Sequence, residues 1–583
     1  HQFMVGLGHT VIGRQRMARL WALGDRTEPL AWAPGLVISA DDDYPASIAP
    51  FQSSTDGGLP ARLTISARVP MAPWENSGNG PVLSASIGHV LPPSLDEADA
   101  GEVSEKNELL PISWQSLCHD EELMKLEVEP HIIVLTDALQ LANKPGRLIE
   151  AIQLIKIKFP GSLLWAPGLG GPDNCAVLSW FGIDLFDLTR SKQAQSSGAI
   201  LTMNGPRLSE SSLEPDVDHW ALAIAETRRA IRDGTLRELA QKQSLSSPRL
   251  VEHLRRHDTL MASQKGVLSQ VVDTSRSLRI HSADEHNDPI IVDWVRYISE
   301  DYIAPSSLDD VLVLLPCSAR KPYSLSRTHR AFRRSMGHNA AHEVMVTSPL
   351  GLVPRDLEEC WPAGHYDIPV TGDWNLDEIE RIHQMLDSLV KRMNYRVIIN
   401  HSGLEYHNEN IEIIDTRMSE RSTSNEALER LNSAVLEHVK IKRRSGEKMN
   451  QDNFASVARM HHHNDTWLNG SELRGRFPRW KIFVDDEQIA MWAPERGGFS
   501  LSKAALPILH KHDSLPRLSL KSGIKWKGDI NLANIDSWDE DIRAGQDILV
   551  MQDGELVGSA RASAPSWEWR STPGRLAKMH QRL

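Results

Sequence analysis

The apolar positions of this chain change period along its length, and the first clear alternation lies between His131 and Phe186. Ile132 to Leu135 is a short continuous apolar run, as expected of a strand covered on both faces. Leu148, Ile152, Ile155 and Phe159 then recur at helical spacing, and Leu163 to Ala166 is again a short apolar run. A further short helix and the strand Ile183 to Phe186 extend the series. Such strand-helix-strand repetition predicts a parallel sheet, open or closed into a barrel. Asp218 to Gln243 reads as one long helix with Trp220, Ile224, Ile231 and Leu239 on its apolar side, followed by a polar region to about Asn287 that would form a domain seam.

A second α/β series starts near Asp288. It predicts a strand at Val311 to Leu315, a basic turn and helix, and a strand at Val344 to Thr347. A helix carrying Ile379, Ile382, Leu386, Leu389 and Met393 and a strand at Tyr395 to Asn400 follow. A helix from Ser424 to about Lys442 leads into a basic joint, Lys440 to Lys448, and a mixed segment ending near Leu506. Near the end, the runs Ile548 to Met551 and Leu556 to Ala560 flank Gln552-Asp553-Gly554-Glu555, and Asp-Gly between two such runs is a strong hairpin signal.

Length and composition narrow this picture. A chain of 583 residues is too long for one hydrophobic core, and the length prior suggests roughly three to five domains. No apolar run reaches the roughly 20 residues that a bilayer requires, so no membrane association is expected. His1 to Gly13 lacks the basic-then-apolar layout of a signal peptide, and the expectation is a cytoplasmic protein. The four cysteines, Cys118, Cys175, Cys317 and Cys360, form no CxxC pair, which argues against a disulfide framework and against a cysteine zinc site. The net charge of -13 is unfavourable for a nucleic-acid partner, so local charge must decide the matter. Asp41 to Asp43 and Leu95 to Glu108 gather much of the acid, whereas Pro316 to Arg334 holds six Lys or Arg residues and no acidic one.

That basic stretch is also the most chemically suggestive. Pro316-Cys-Ser-Ala-Arg-Lys-Pro-Tyr-Ser-Leu-Ser-Arg-Thr-His329 follows an apolar strand, which puts Cys317 at the carboxyl end of a parallel strand, where open α/β sheets bind ligands. A helix N-terminus nearby, with Arg320 and Lys321, would stabilise the thiolate and make it nucleophilic at neutral pH. The plainer alternative is a buried, inert cysteine. Cys317, Lys321, Pro322, Tyr323, Ser326 and His329 resemble the signature of the archaeosine synthase family. The resemblance continues in Ser348-Pro-Leu-Gly-Leu-Val-Pro-Arg355, in His365-Tyr-Asp-Ile-Pro-Val-Thr-Gly372 and in Trp374.

This resemblance implies a tRNA substrate carrying 7-cyano-7-deazaguanine at position 15 of the D-loop. It also implies addition of an amine, with free lysine or another amine as donor, to the nitrile, giving an amidine that a separate radical lyase completes. Cys317, Lys321, Tyr323, His329 and Asp367 are then the catalytic candidates, and Ser318, Arg320, Ser326, His365 and Thr371 the substrate-binding ones. A thiolate at Cys317 would add to the electrophilic nitrile carbon, His329 or Tyr323 would move protons, and Asp367 would deprotonate or orient the incoming ammonium. For Lys321 a phosphate or amino-acid carboxylate is one reading and a solvated surface cation the other.

Upstream, Trp165-Ala-Pro-Gly-Leu-Gly-Gly-Pro172 and Phe181-Gly-Ile-Asp-Leu-Phe-Asp187 resemble the late barrel region of tRNA-guanine transglycosylases. No Asp-Ser-Gly-Gly motif precedes them and the region just after Pro206, Arg207 to Glu214, has no cysteines where zinc ligands would be expected, so Asp184 and Asp187 are expected to cap a barrel strand rather than to exchange bases. Gly168, Gly170 and Gly171 do not form a dinucleotide fingerprint, His461-His-His463 reads as a polar loop, and neither a cofactor nor a metal is expected. The tail from about Leu518 resembles a PUA domain, with Lys525, Lys527, Arg561, Arg575 and Lys578 as candidate RNA contacts.

The expected fold class is α/β multidomain. It comprises a degenerate transglycosylase-like (β/α) barrel at 1–287, a second α/β domain at 288–445, a small α+β domain at 446–512 and a C-terminal β-barrel PUA domain at 513–583. A homodimer is left open as the assembly. Base exchange and a non-catalytic tRNA-binding scaffold are the rival functions.

Overall fold

The computed structural model describes residues 8–39, 41–53, 109–127, 129–208, 216–263, 277–337, 340–441 and 444–583. It also describes the short strands Leu63–Ser66, Arg68–Val69, Ala72–Pro73 and Val82–Ser84. The acidic stretch Leu95 to Glu108 and residues 264–276 of the expected seam lie outside these. The architecture is mixed α/β and multidomain, with four principal sheets in addition to an N-terminal three-stranded one.

An N-terminal antiparallel meander, His9–Gln15, Ala18–Gly24 and Pro29–Ala33, precedes an eight-stranded sheet. All seven ladders of that sheet are parallel. At its centre Ile132–Leu135, Leu163–Trp165 and Leu185–Asp187 lie side by side, followed by Gly35–Ser39. These strands are buried throughout, which is why they read as continuous apolar runs rather than alternating ones. The expected single helix over Asp218 to Gln243 is instead two, His219–Asp233 and Leu236–Ser244. Gly234, at φ 71°, closes the first helix in the left-handed region, and its N–H bonds back to the carbonyls of Ala230 and Ile231. The region expected to be polar after it contains the helix Pro248–Ser263, whose Leu250, Leu254 and Met261 are buried.

The second sheet is five-stranded, in the order Gly351–Pro354, His342–Thr347, Val311–Pro316, Val397–Asn400, Glu412–Asp415. It is parallel except for the first hairpin. Val311 to Leu315 are fully buried at its middle, between the helices Arg327–Met336, Leu376–Met393 and Asn425–His438. The core continues without a break into the next unit, through Phe454, Trp467, Trp492 and Phe499. That unit has the helix Gly446–His462, a four-stranded antiparallel sheet spanning Glu472 to Leu501, and the helix Ala505–Lys511. The triple histidine is not a polar loop. His461 and His462 occupy the last turn of that helix, and His462 is only 6% exposed because its ring packs against Trp467 and Phe499.

The C-terminal sheet has six strands. Its two outermost strands, Ile530–Asn531 and Ile535–Trp538, are joined by a single helical turn, so the sheet nearly closes on itself like a barrel. The hairpin expected at Asp553-Gly554 is present, with both residues at positive φ, as a two-residue turn of primed type demands. The N-terminal meander meets this unit. Glu568, with its side chain fully buried, pairs with Arg14 at 2.8 Å and with Arg19. Replacing Glu568 by Ala strands two buried guanidinium groups and is expected to cost roughly 3–5 kcal/mol. The midpoint of the first urea-unfolding transition reads this loss, and an unchanged midpoint would count against the pairing.

Candidate active site

The site forms where the five-stranded sheet ends. Cys317 follows directly on the central strand, and Thr347 ends the neighbouring strand, whose Val346 is in register with Pro316. The chain after Cys317 makes a loop and a single turn, Tyr323–Leu325, before the helix that begins at Arg327, where the Ser326 side chain accepts from the His329 N–H. Cys317 therefore lies ahead of the helix N-terminus rather than on it. The expected thiolate stabilisation is not seen: burial pushes the Cys317 thiol up, opposed in part by a hydrogen bond with Thr347 and by the charge of Lys321.

Around the thiol the structure gathers residues from three segments. The Lys321 ammonium sits 4.1 Å from the centroid of the Tyr366 ring. Burial pulls its pKa below the usual lysine value, while Cys317 and Asp367 pull it the other way. The hydroxyls of Tyr323 and Tyr366 are 2.5 Å apart, and Thr347 Oγ1 lies 3.0 Å from that of Tyr366. The threonine and the two tyrosines thus form one hydrogen-bonded line beside the thiol. Asp367 stands at the open side, 68% exposed, with His281 Nε2 at 3.4 Å from its carboxylate. Tyr366 and Asp367 are held there by a short parallel ladder with Leu278 and Arg279.

The other candidates are placed elsewhere. His329 is 2% exposed. Arg355 Nη2 donates to its Nδ1 at 2.9 Å, so the Nε2–H donates to the Pro316 carbonyl, also at 2.9 Å. Both ring nitrogens are engaged, and burial with the Arg355 charge pushes the imidazole down to about 3. His329 thereby braces the peptide that precedes Cys317. His365 Nε2 bonds to the Pro494 carbonyl, tying the loop to the following unit. Ser318 bonds to the Arg320 carbonyl, Arg320 is exposed, and Thr371 closes an exposed turn with Asp373. Thr347, Tyr366 and His281 were not singled out from sequence as site residues. Thr347 had a usable signal, since it ends a predicted strand next to the one carrying Cys317.

In the eight-stranded sheet, Asp184 accepts from Lys156 Nζ at 3.0 Å, Trp21 Nε1 at 2.7 Å and the Leu164 N–H at 2.8 Å. Asp187 accepts from Trp165 Nε1 and from the N–H groups of Gly168 and Thr189. Both carboxylates are buried and committed to structure. In the C-terminal unit Lys525, Lys527 and Lys578 are exposed, Arg561 pairs with Asp547 at 3.1 Å and Arg575 with Asp529 at 3.4 Å. Arg561 and Lys578 are directly opposite on adjacent strands.

Buried imidazoles also set a pH response. His342, bonded to Tyr302 and Tyr395, is pushed down by burial to about 3, and so is His462. Each folded-state value lies below the ordinary 6.5, so the stability they contribute is complete above 6.5 and is lost as the pH falls from there towards 3. The expected loss at pH 5 is about 2 kcal/mol per imidazole. A urea-midpoint series on the His342→Phe variant should show a shallower acid limb than the parent, and parallel limbs would refute the assignment.

The family described as a domain of unknown function, DUF5591, matches residues 291–435, the stretch that contains this site. A crystal structure of AF0587, a protein of unknown function, is 20% identical and covers 50% of this chain and 99% of its own, with a TM-score of 0.40. Among curated proteins, the archaeosine synthase subunit alpha of Methanosarcina acetivorans is 30% identical over 441 residues, 66% of this chain and 69% of that protein. The subunit alpha of Thermoplasma acidophilum is 27% identical over 452 residues, 75% of this chain and 84% of its own length. The archaeosine synthase of Haloferax volcanii is 28% identical over 453 residues, 72% and 76% of the two chains. With identity at this level over more than two thirds of a relative's length, the chain belongs to the archaeosine synthase family.

Proposed function

We propose that this protein acts in archaeosine biosynthesis by adding an amine, with lysine as the first donor to test, to the nitrile of 7-cyano-7-deazaguanine at position 15 in tRNA. The observation that carries this reading is the placing of Cys317 at the carboxyl end of the central strand of the five-stranded sheet, with the Lys321 ammonium over the ring of Tyr366, the neighbour of Asp367, in a chain whose relatives are named archaeosine synthase. The Cys317 thiolate adds to the nitrile carbon, and the nitrile nitrogen takes a proton, giving a thioimidate. The neutral amine then adds to the same carbon and loses a proton as the carbon–sulfur bond breaks. The products are an amidine and the free thiolate, so no oxidant or reductant is consumed. Asp367, exposed at the mouth, receives and orients the incoming ammonium, whose proton passes to solvent before the neutral amine attacks. Lys321 favours the thiolate, and the Thr347–Tyr366–Tyr323 line orients the sulfur.

The remaining units serve the tRNA. We read the eight-stranded parallel sheet of residues 1–287 as a transglycosylase-like barrel without base exchange, because Asp184 and Asp187 are occupied by structural bonds. Residues 288–445 form the catalytic domain, 446–512 a connecting α+β domain, and 513–583 a PUA domain whose Lys525, Lys527 and Lys578 meet the RNA backbone. The test is mass spectrometry of nucleosides from tRNA bearing 7-cyano-7-deazaguanine after incubation with the purified protein and lysine. A nucleoside heavier by one lysine is expected. Unchanged nucleosides with lysine and with other amines would reject the reaction and leave the scaffold reading.

A further inference from the structure

A second cavity, of about 590 Å³, opens where the five-stranded, four-stranded and six-stranded sheet units meet, and none of its lining residues belongs to the Cys317 cluster. Its size falls within the ordinary range for small-molecule sites, and junctions between domains are a usual place for them. One wall is the helix Pro289–Arg296 with its continuation, which supplies Asp293, Arg296 and Tyr297. Trp361 and His462 line it from the loop and the long helix, and Arg543 from the six-stranded unit.

Two features mark this cavity as built for a polar ligand rather than as a packing gap. The first is the spacing of its charges. Arg543 approaches Asp293 only to 3.7 Å, and Arg296 approaches Asp293 and Asp301 only to 3.9 and 3.6 Å. Direct guanidinium–carboxylate hydrogen bonds are about 2.7–2.9 Å, so these pairs stand open and keep N–H groups available to another acceptor. The second is the polar character of its lining, which brings Arg459 and Gln546 to the same space as Arg296, Arg543 and Asp293.

We propose that this cavity binds a nucleotide, free or as an unpaired residue of an RNA strand, with its phosphate between Arg296 and Arg543. Arginine forks suit phosphate oxygens, and the two guanidinium groups face the cavity from different units, so one phosphate bridges them. The Trp361 and Tyr297 rings provide aromatic surface for a base, and the Asp293 carboxylate accepts from ribose hydroxyl or exocyclic amine groups. A lone phosphate would use the arginines and leave most of the volume unfilled. Filling the cavity also couples the six-stranded unit to the domain that carries Cys317, because the ligand touches both.

Isothermal titration of the full chain with adenosine 5′-monophosphate, inorganic phosphate and a 5′-phosphorylated RNA trinucleotide tests this directly and does not depend on the modification reaction. Binding of the mononucleotide at least tenfold tighter than phosphate is expected, and it should weaken at least tenfold in Arg543→Ala and in Arg296→Ala. Arg296 is 41% exposed, so its replacement should leave the fold intact, and Arg543→Lys preserves the charge should Arg543→Ala unfold. Binding of the trinucleotide alone, with the same dependence on Arg296, identifies the strand as the source. Three results would overturn the proposal: no heat from either nucleotide up to ~1 mM, phosphate binding as tightly as the mononucleotide, or affinities indifferent to Arg296 and Arg543.

Discussion

Replacing Cys317 by Ala is expected to lower formation of the lysine-adduct nucleoside more than about a hundredfold, as loss of a covalent nucleophile does. The fold should survive, because the thiol is only half-buried and its hydrogen bond is to the single hydroxyl of Thr347. Cys317→Ser, which keeps a hydroxyl in reach of Thr347, should be nearly as inactive, since an alcohol is a far poorer nucleophile at neutral pH. The pH profile adds a check. Burial raises the thiol pKa above its ordinary value of 9.0, so the thiolate fraction, and with it the rate, should climb with pH through the neutral range and beyond. Lys321→Ala removes the positive charge that opposes this shift and should displace the rising limb to still higher pH, whereas Lys321→Arg should not. Adduct formation by Cys317→Ala at the parent rate would remove the thiol from the chemistry while leaving the family membership untouched.

Asp184→Ala should destabilise the N-terminal unit by roughly 3–5 kcal/mol, because it leaves the Lys156 ammonium buried without its counter-charge. Lys156 is 2% exposed, and burial already pulls its pKa down against the attraction of Asp184. The carboxylate also holds Trp21 of the N-terminal meander and the backbone of Leu164, so three segments lose a common anchor. Asp184→Asn keeps one oxygen, which can still accept from Lys156 and Leu164, the two donors that share Oδ2, and should fall between the parent and the Ala variant in urea unfolding. A different outcome separates structure from catalysis here: full stability of Asp184→Asn, with loss of a base-exchange activity present in the parent, would restore the transglycosylase rival.

The accuracy of the sequence reading follows the range of the interactions concerned. Burial on both faces makes a parallel strand a continuous apolar run, so Ile132–Leu135 was legible to the residue and Val311–Pro316 to within one. The turn at Asp553-Gly554 was legible because positive φ at two successive positions selects those residue types locally. The candidate site was legible because strand end, cysteine and basic turn are contiguous. The break at Gly234 was missed because the apolar spacing continues across it, and a single glycine within such a pattern is often tolerated.

Neighbouring residues alone therefore set most strands of the two parallel-containing sheets, the hairpin of the tail and the placing of Cys317 at a strand's carboxyl end. Only the tertiary structure decided which groups meet there and what state they are in. Asp367 and its neighbour Tyr366 lie about fifty residues from Cys317 in sequence, Thr347 comes from a further segment, and His329, in the same motif, turns instead to Pro316 and Arg355. The same holds for the thiol, which local charge alone would make acidic and which burial makes less so. Periodicity and turn chemistry are properties of neighbouring residues, whereas desolvation and hydrogen-bond partners depend on surfaces that distant segments bring together.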